Sequence, residues 1–210
     1  MTRTPRIALL ATLGALSLAA CSREAETIAN DVALDNAMAD TAMGNDAMSN
    51  DAMASGNGTA SAQSFNFVGA DGAALGSVSV SEDANGAAMT VDASGMPAGV
   101  HGIHLHEKGL CEGPKFVSAG GHWNPGAKKH GRDNPAGAHL GDLANLKVTG
   151  AGTASATFTV PGAMMASGTD MLADADGTAL VVHAKADDYK TDPSGDSGDR
   201  IACAVIAPPR

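Results

Sequence analysis

Aromatic side chains are scarce in this chain of 210 residues, which contains one Trp, one Tyr and four Phe. A hydrophobic core must therefore be built from Val, Leu, Ile, Met and Ala, and that composition suits thin, closely packed sheets. Basic residues are also few, because 13 Lys and Arg stand against 23 Asp and Glu and the net charge is -10. This balance argues against nucleic acid as the main partner, since phosphate backbones are bound by clustered cations.

The pronounced apolar run near the start of the chain, residues 7–18, is too short to cross a bilayer as a permanent helix. It follows two arginines and predicts a signal peptide over residues 1–20. Leu-Ala-Ala-Cys at 18–21 resembles a bacterial lipobox, so we expect lipidation of Cys21; the alternative is ordinary cleavage that leaves a free thiol. Ser22 favours sorting to the outer membrane. We therefore predict a protein of the bacterial cell envelope that faces the periplasm and meets the membrane only through its lipid anchor.

Residues 21–63 have almost none of the β-branched and aromatic residues that a core needs, and we predict a low-complexity tether rich in Asp, Asn, Ala, Ser and Gly. Methionine recurs within it at a spacing typical of neither helix nor strand. These methionines are Met38, Met43, Met48 and Met53. Two interpretations are open: a segment that collects Cu(I) through thioether sulfur, or a solvated spacer in which methionine is incidental. We favour the spacer.

The rest of the chain, residues 64–210, lacks a Gly-rich phosphate loop and amphipathic helices. Short β-like runs alternate there with Gly, Asp and Asn, a pattern typical of an all-β sandwich. Two long irregular segments, 107–142 and 184–200, are expected to carry function. The eight predicted strands are 65–68, 75–80, 87–91, 100–106, 143–148, 154–160, 178–183 and 201–206.

All seven histidines lie between residues 101 and 183, which suggests that they converge on one place. In the strand predicted over 100–106, alternation puts His104 and His106 on one face, roughly 6.5–7 Å apart, while Ile103 and Leu105 point into the core. Two imidazoles on a rigid strand form half of a metal site. His101 has an odd spacing from His104 and is expected to make a structural hydrogen bond instead.

The first long segment adds three imidazoles and one carboxylate within twenty-one residues, a complete tetrahedral set for zinc. They are His122, His130, His139 and Asp142. His183 ends a later strand and, with His104 and His106, provides a nitrogen-rich set that suits copper. The two sites are joined if His122 serves both metals through its two ring nitrogens, as a deprotonated imidazole between two dications.

Six segments of the chain resemble the copper/zinc superoxide dismutases and occur in that family's order. They are Gly-Ile-His-Leu-His (102–106), Gly-His-Trp-Asn-Pro (121–125), Lys-His-Gly (129–131), His-Leu-Gly-Asp-Leu (139–143), Val-His-Ala-Lys (182–185) and Gly-Asp-Arg-Ile-Ala-Cys (198–203). The resemblance implies an all-β, eight-stranded Greek-key β-sandwich or flattened barrel with two long functional loops. It also implies disproportionation of superoxide to dioxygen and hydrogen peroxide by a redox-cycling copper, bridged to a structural zinc.

The resemblance also implies a role for each candidate residue. Copper would be held by His104, His106, His122 and His183, and zinc by His122, His130, His139 and Asp142, with His122 as the bridge and a carrier of protons. Arg200 would guide superoxide towards copper, and Asp187 would link a copper histidine to a zinc histidine. Cys111 and Cys203, which lie inside the domain of an exported protein, would form a disulfide.

The segment 184–200 is short and acidic, which is similar to the bacterial exported branch of the family and leaves monomer or homodimer open. Two other functions are weighed against the enzyme. A copper-buffering lipoprotein would need only the metal ligands and the methionine repeat, whereas a purely structural surface module would tolerate missing ligands. No ligand is missing from the sequence, so the enzyme is the favoured interpretation.

Overall fold

The fold is described by a computed structural model, which covers residues 62–210. Its regular structure is β apart from one short 3-10 helix, Val117–Ala119, so the predicted all-β class is confirmed. The strands are β1 Gln63–Gly69, β2 Ala74–Asp83, β3 Gly86–Ser94, β4 Gly99–His101, β5 Ile103–His106, β6 Leu146–Val148, β7 Thr153–Pro161, β8 Thr178–His183 and β9 Arg200–Ala207. The predicted signal peptide, Cys21 and the methionine repeat lie outside the described residues.

Seven strands form one curled antiparallel sheet in the order β5-β8-β9-β1-β2-β3-β7, and β4 pairs with β6 in a separate two-stranded piece. The chain passes from β4 straight into β5, so the smaller piece is joined to an edge of the large sheet. β3 and β4 follow each other in sequence but pair with different neighbours, as in a Greek-key connection. Within residues 62–210, no helix has the length and apolar character needed to cross a membrane.

The predicted strand that contains both His104 and His106 is interrupted at Gly102, which separates β4 from β5. The Gly102 N–H donates to the Lys185 carbonyl (2.7 Å), and its carbonyl accepts the His183 N–H (2.8 Å). A Cβ at Gly102 would lie 2.9 Å from the Ser197 Cβ, closer than Cβ atoms normally come. The described fold therefore has nine strands rather than the predicted eight.

The core lies on the inner face of the curled sheet and is built mainly from Val, Leu, Ile, Met and Ala. Buried residues alternate with more exposed ones along β7, as expected for a strand with one face towards a core. Ile103 and Leu105 of β5 are fully buried in this core, which confirms their predicted orientation. His104 and His106 alternate with them and therefore leave β5 on its other face.

A second, smaller apolar cluster covers the outer face of β8 and β9. It consists of Phe116, Ala119, Ala179, Val181 and Cys203. Cys203 is disulfide-bonded to Cys111, with 5.7 Å between the Cα atoms, so the predicted pairing is confirmed. Because this cluster covers β8 from outside while the core covers it from inside, all six residues of β8 are buried. The disulfide and Phe116 also fasten the first long loop to the sheet.

Candidate metal centre

The candidate ligands are assembled along β5, which is an edge strand of the large sheet. Two stretches of the first long loop lie along its free side, and isolated bridges join His106 to His122 and His104 to Asp142. Leu105, between the two histidines, bonds the loop through both its N–H (2.9 Å) and its carbonyl (2.8 Å). Backbone pairing thus places loop residues beside the histidines of a rigid strand.

Four histidines form the first group of ligands, which we call the four-histidine cluster. It consists of His104, His106, His122 and His183. Each offers one ring nitrogen, and these nitrogens lie within 4.8 Å of one another. One ring nitrogen of every member is buried and has no hydrogen-bond partner among the described residues. An unpaired buried polar group costs about 1–3 kcal/mol, so four together fit a metal ion, and an all-nitrogen set suits copper.

Backbone carbonyls decide which nitrogen is free in two of these rings. His106 Nδ1 donates to the Gly120 carbonyl (3.0 Å), and His183 Nδ1 donates to the Gly198 carbonyl (3.2 Å). A neutral imidazole has one N–H and one lone pair. Both rings therefore keep the lone pair on Nε2, the atom without a partner in each case.

The second group, which we call the carboxylate cluster, is centred on one oxygen atom. Its members are His122, His130, His139 and Asp142. Asp142 Oδ1 lies 2.9 Å from His122 Nδ1, 3.0 Å from His130 Nδ1 and 3.1 Å from His139 Nδ1. Asp142 Oδ2 accepts the backbone N–H groups of Gly131 (2.9 Å) and His139 (3.0 Å), which fixes the carboxylate. Three ring nitrogens and one carboxylate oxygen are the donor set and number that zinc prefers.

Two residues connect the clusters. His122 belongs to both, with Nδ1 beside Asp142 and Nε2 among the unpaired nitrogens of the four-histidine cluster. Asp187 is buried and holds one histidine of each cluster: Oδ2 accepts from His104 Nε2 (2.8 Å) and Oδ1 from His130 Nε2 (3.0 Å). These bonds place a proton on Nε2 of both rings, so Nδ1 of each ring is the atom that would face a metal, and one carboxylate orients a ring in each cluster.

The two clusters differ in their electrostatics. Burial and, to a smaller extent, the nearby His104 lower the pKa of His122 to about 4 and that of His183 to about 3. Burial opposes charge on His130 as well, but hydrogen bonds to Asp142 and Asp187 outweigh it and raise the pKa of His130 to about 9. Burial also raises the pKa of the Asp142 carboxyl, yet hydrogen bonds from histidine hold it well below its usual range. In the metal-free carboxylate cluster Asp142 is therefore an anion paired with a protonated His130, whereas the histidines of the four-histidine cluster are neutral.

Arg200 lies at the opening of the four-histidine cluster. It lines a cleft of about 230 Å³ together with His106, His122 and His183. Its guanidinium donates from Nη1 to the Phe116 carbonyl and from Nη2 to the Gly120 carbonyl, both at 2.6 Å. A fixed cation beside unpaired metal-binding nitrogens is an arrangement that can dock a small anion next to a metal.

A family model for copper/zinc superoxide dismutase (SODC) matches residues 74–206. The chain belongs to the copper/zinc superoxide dismutase family. It is 42% identical over 139 residues to "Superoxide dismutase [Cu-Zn]" of Caulobacter vibrioides, an alignment that covers 65% of this chain and 80% of the relative. It is 39% identical over 141 residues to "Superoxide dismutase [Cu-Zn] 2" of Aquifex aeolicus, covering 66% of this chain and 82% of that relative.

Solved structures show the same relationship. A superoxide dismutase-like protein from Bacillus subtilis matches with a TM-score of 0.67 at 37% identity, over 70% of this chain and 99% of that one. The activity of this chain, as a copper/zinc superoxide dismutase, is the disproportionation of superoxide, and its cofactors are copper and zinc.

The structure brings all the sequence-predicted dismutase ligands into two clusters that share His122. It also places Asp187 between the clusters and Arg200 at the cleft. The buried His101 lies outside both clusters: Nδ1 is 2.8 Å from the His183 carbonyl and Nε2 is 2.9 Å from the Pro97 carbonyl. Its predicted structural hydrogen bonding is confirmed.

Sequence reasoning missed the groups that support these ligands. The Gly120 carbonyl accepts from both His106 and Arg200, so one backbone atom orients a ligand and the anion-binding cation. Every residue has a backbone carbonyl, so the sequence does not reveal which carbonyl orients a ligand. Asn145 and Tyr189, which contact Asp187, were also missed. The one available signal was that Tyr189 is the single tyrosine of an aromatic-poor chain, in a polar loop beside Asp187.

Proposed function

We propose that this copper/zinc superoxide dismutase works in the bacterial cell envelope, with copper in the four-histidine cluster and zinc in the carboxylate cluster. The unpaired nitrogens of four buried histidines support the copper assignment. The convergence of three Nδ1 atoms on Asp142 Oδ1 supports the zinc assignment. A carboxylate among the donors matches the harder, redox-inactive zinc ion.

Copper, when bound, supplies the one-electron oxidation and reduction that convert two superoxide ions to dioxygen and hydrogen peroxide, whereas zinc has no redox chemistry. Arg200 docks the substrate anion at the cleft, where its charge and N–H groups meet a small oxygen species. His122 lines the same cleft, and its Nε2 would carry a proton for the peroxide product whenever that atom is not holding copper. Asp187 keeps His104 and His130 in their metal-binding tautomers throughout.

The observation that carries this function is a cation and four unpaired buried nitrogens around one cleft. A copper-buffering protein would need the nitrogens but not the cleft or Arg200. The test is metal analysis and superoxide disproportionation by the full chain, before and after copper is stripped. We expect about one copper and one zinc per chain, with activity lost on stripping and restored by copper. Full occupancy without turnover would favour copper buffering.

The placement in the envelope is supported by the apolar run at 7–18 and the lipobox-like sequence that ends at Cys21. A lipidated Cys21 would hold the domain at a membrane surface through the tether, facing the periplasm. We expect Cys21→Ser to move the protein from the membrane fraction to the soluble fraction. Light scattering on the released protein distinguishes monomer from homodimer.

A further inference from the structure

Asp187, whose carboxylate joins the two clusters, is itself fixed by hydrogen bonds to residues that belong to neither cluster. The Tyr189 N–H donates to Asp187 Oδ1 (2.6 Å), the same oxygen that accepts from His130. Asn145 bonds the Asp187 main chain at two points: its Oδ1 accepts the N–H (2.8 Å) and its Nδ2 donates to the carbonyl (2.9 Å). The direction of the carboxylate therefore depends on residues outside both clusters.

Tyr189 has an unusual backbone conformation, with φ at 63°. A bulky residue rarely adopts this left-handed region and keeps it only where surrounding contacts impose it. The conformation directs the Tyr189 N–H at the carboxylate of Asp187, two residues earlier. The backbone strain is thus located at the residue that orients the link between the clusters.

The Tyr189 side chain supplies contacts that hold this conformation. Its hydroxyl oxygen accepts the Asn145 N–H (2.9 Å), and its ring lies under the Arg132 guanidinium, 3.7 Å from Cζ to the ring centroid. Its own carbonyl accepts the Asp133 N–H (3.0 Å). A Cβ at Gly131 would overlap the Tyr189 carbonyl, so the close approach of the two loops requires glycine there.

These contacts lie next to metal ligands in the sequence. Arg132 follows His130 by two residues, and Asn145 follows Asp142 by three. One half-buried tyrosine from the second long loop therefore joins the segments that carry two ligands of the carboxylate cluster. The same tyrosine contacts Asp187, which reaches across to His104 in the four-histidine cluster.

We propose that Tyr189 is a positioning residue for both metals: with Arg132 and Asn145 it locks the loop that carries Asp187 onto the loop that carries the zinc ligands. This inference rests on the proposed copper and zinc assignment. The Tyr189 side chain holds the backbone, the backbone N–H orients Asp187, and Asp187 orients His104 and His130. Tyr189 touches neither metal nor substrate, so its effect should appear first in how firmly the metals are held.

The test compares the metal-loaded full chain with Tyr189→Phe, which removes one hydroxyl. Zinc release to a chromophoric chelator and the electron paramagnetic resonance spectrum of bound copper(II) are measured without superoxide. Partners behind metal ligands typically change metal affinity about 10–100-fold, and we expect zinc release from Tyr189→Phe to be faster by about 10-fold. The copper spectrum should shift towards that of Asp187→Asn, because both changes disturb His104.

Thr90→Val is the matched control, because it also removes one hydroxyl bond, from the Thr90–Thr157 pair (3.0 Å) on the exposed face of β3 and β7. It should release zinc like the parent chain. Arg132→Lys keeps a cation over the ring and should stay close to the parent, whereas Arg132→Gln should release zinc faster.

Two results would overturn the proposal. One is parent-like zinc release and copper spectrum in Tyr189→Phe; the other is a Tyr189→Phe variant whose metal-free form melts lower while its metals are held as before. The second result would make Tyr189 a stability residue only. Because every readout is taken without superoxide, a chain that binds both metals but lacks turnover would contradict the proposed function and leave this test unaffected.

Discussion

The four-histidine cluster and the carboxylate cluster lie side by side and share His122, yet different groups surround them. In the first, His106 and His183 are oriented by backbone carbonyls. In the second, Asp142 is the centre, and Asp187 stands behind His130. The pKa values follow this difference, because that of His183 falls to about 3 while that of His130 rises to about 9.

This difference matches the two ions that the clusters are proposed to hold. A neutral set of nitrogens can accommodate an ion whose charge changes during turnover, whereas a carboxylate favours a constant dication. Because His122 belongs to both clusters, the binding of one ion should affect how the other ion is held. The ligands of both sites are mostly histidine. The carbonyls and carboxylates around these histidines therefore distinguish the role of one site from that of the other.

The largest effect is expected when the shared residue is removed. His122→Ala takes a ligand from both clusters, and superoxide turnover should fall by more than about 100-fold, since even outer partners of metal ligands are worth about 10–100-fold. Copper and zinc content and turnover are measured together. His101→Gln, a change at a buried histidine outside both clusters, should keep both metals. Unchanged metal content and turnover in His122→Ala would rule out the shared ligand.

Removal of the disulfide should weaken metal binding in the two clusters to different extents. The chain-entropy model gives a loss of about 4–5 kcal/mol in the free energy of unfolding for a closed loop with a sequence separation of 92. Cys111→Ala/Cys203→Ala also releases the loop whose Gly120 carbonyl orients His106 and Arg200. Copper affinity should therefore fall more than zinc affinity. Denaturant unfolding and metal competition measure the two effects, and equal loss of both metals would contradict this asymmetry.

Asp187→Asn should weaken both clusters at once. It removes the charge between His104 and His130, and we expect zinc affinity to fall about 10–100-fold with a change in the copper spectrum. Asp133→Asn is the matched control, because Asp133 is exposed and its side chain has no hydrogen bond within the described part of the chain. The prediction fails if the two variants bind zinc equally well.

Arg200→Gln should weaken only the capture of superoxide at the four-histidine cluster and should leave metal binding unchanged. Without the cation at the cleft, kcat/KM for superoxide should fall by about 10-fold, and its decrease with added salt should become weaker. Metal contents should match the parent chain. Arg210→Gln removes the same charge at an exposed C-terminal position and should leave the rate unchanged. A parent-like rate in Arg200→Gln would show that Arg200 does not dock superoxide.

The smallest change per step is a pH dependence of the metal-free protein, whose free energy of unfolding changes by about 1.4 kcal/mol per pH unit for each titrating histidine. The folded-state pKa values of His122 and His183, about 4 and 3, lie below the unfolded value of 6.5. The unfolded chain binds more protons in this window, so the free energy of unfolding falls as pH decreases below 6.5.

His130 acts in the opposite direction, because its folded-state pKa of about 9 lies above 6.5. The free energy of unfolding should therefore also fall as pH rises from 6.5 towards 9. Denaturant unfolding across pH should give a maximum near pH 6.5. His183→Gln should make the acid side less steep and leave the alkaline side unchanged. Stability that keeps rising down to pH 4 would contradict the neutral state of the four-histidine cluster.

Much of the site could be predicted from the sequence because its pattern is local. Alternation along β5 separates His104 and His106 from Ile103 and Leu105 whatever the rest of the fold does. The break at Gly102 could not be predicted, since it arises from hydrogen bonds to residues more than eighty positions away. The role of Tyr189 could not be predicted for the same reason, because its partners Arg132 and Asn145 lie on another loop.

The sequence by itself determined the ligand types, the all-β class and the family, because these depend on residue identity and short-range periodicity. Only the tertiary structure decided which ring nitrogen of each histidine is free, because carbonyls and carboxylates from distant segments fix each tautomer. It also decided that a single carboxylate, Asp187, orients a ring in each cluster. Chemistry at the level of single atoms requires the packing of two loops against one strand, and no local pattern encodes that packing.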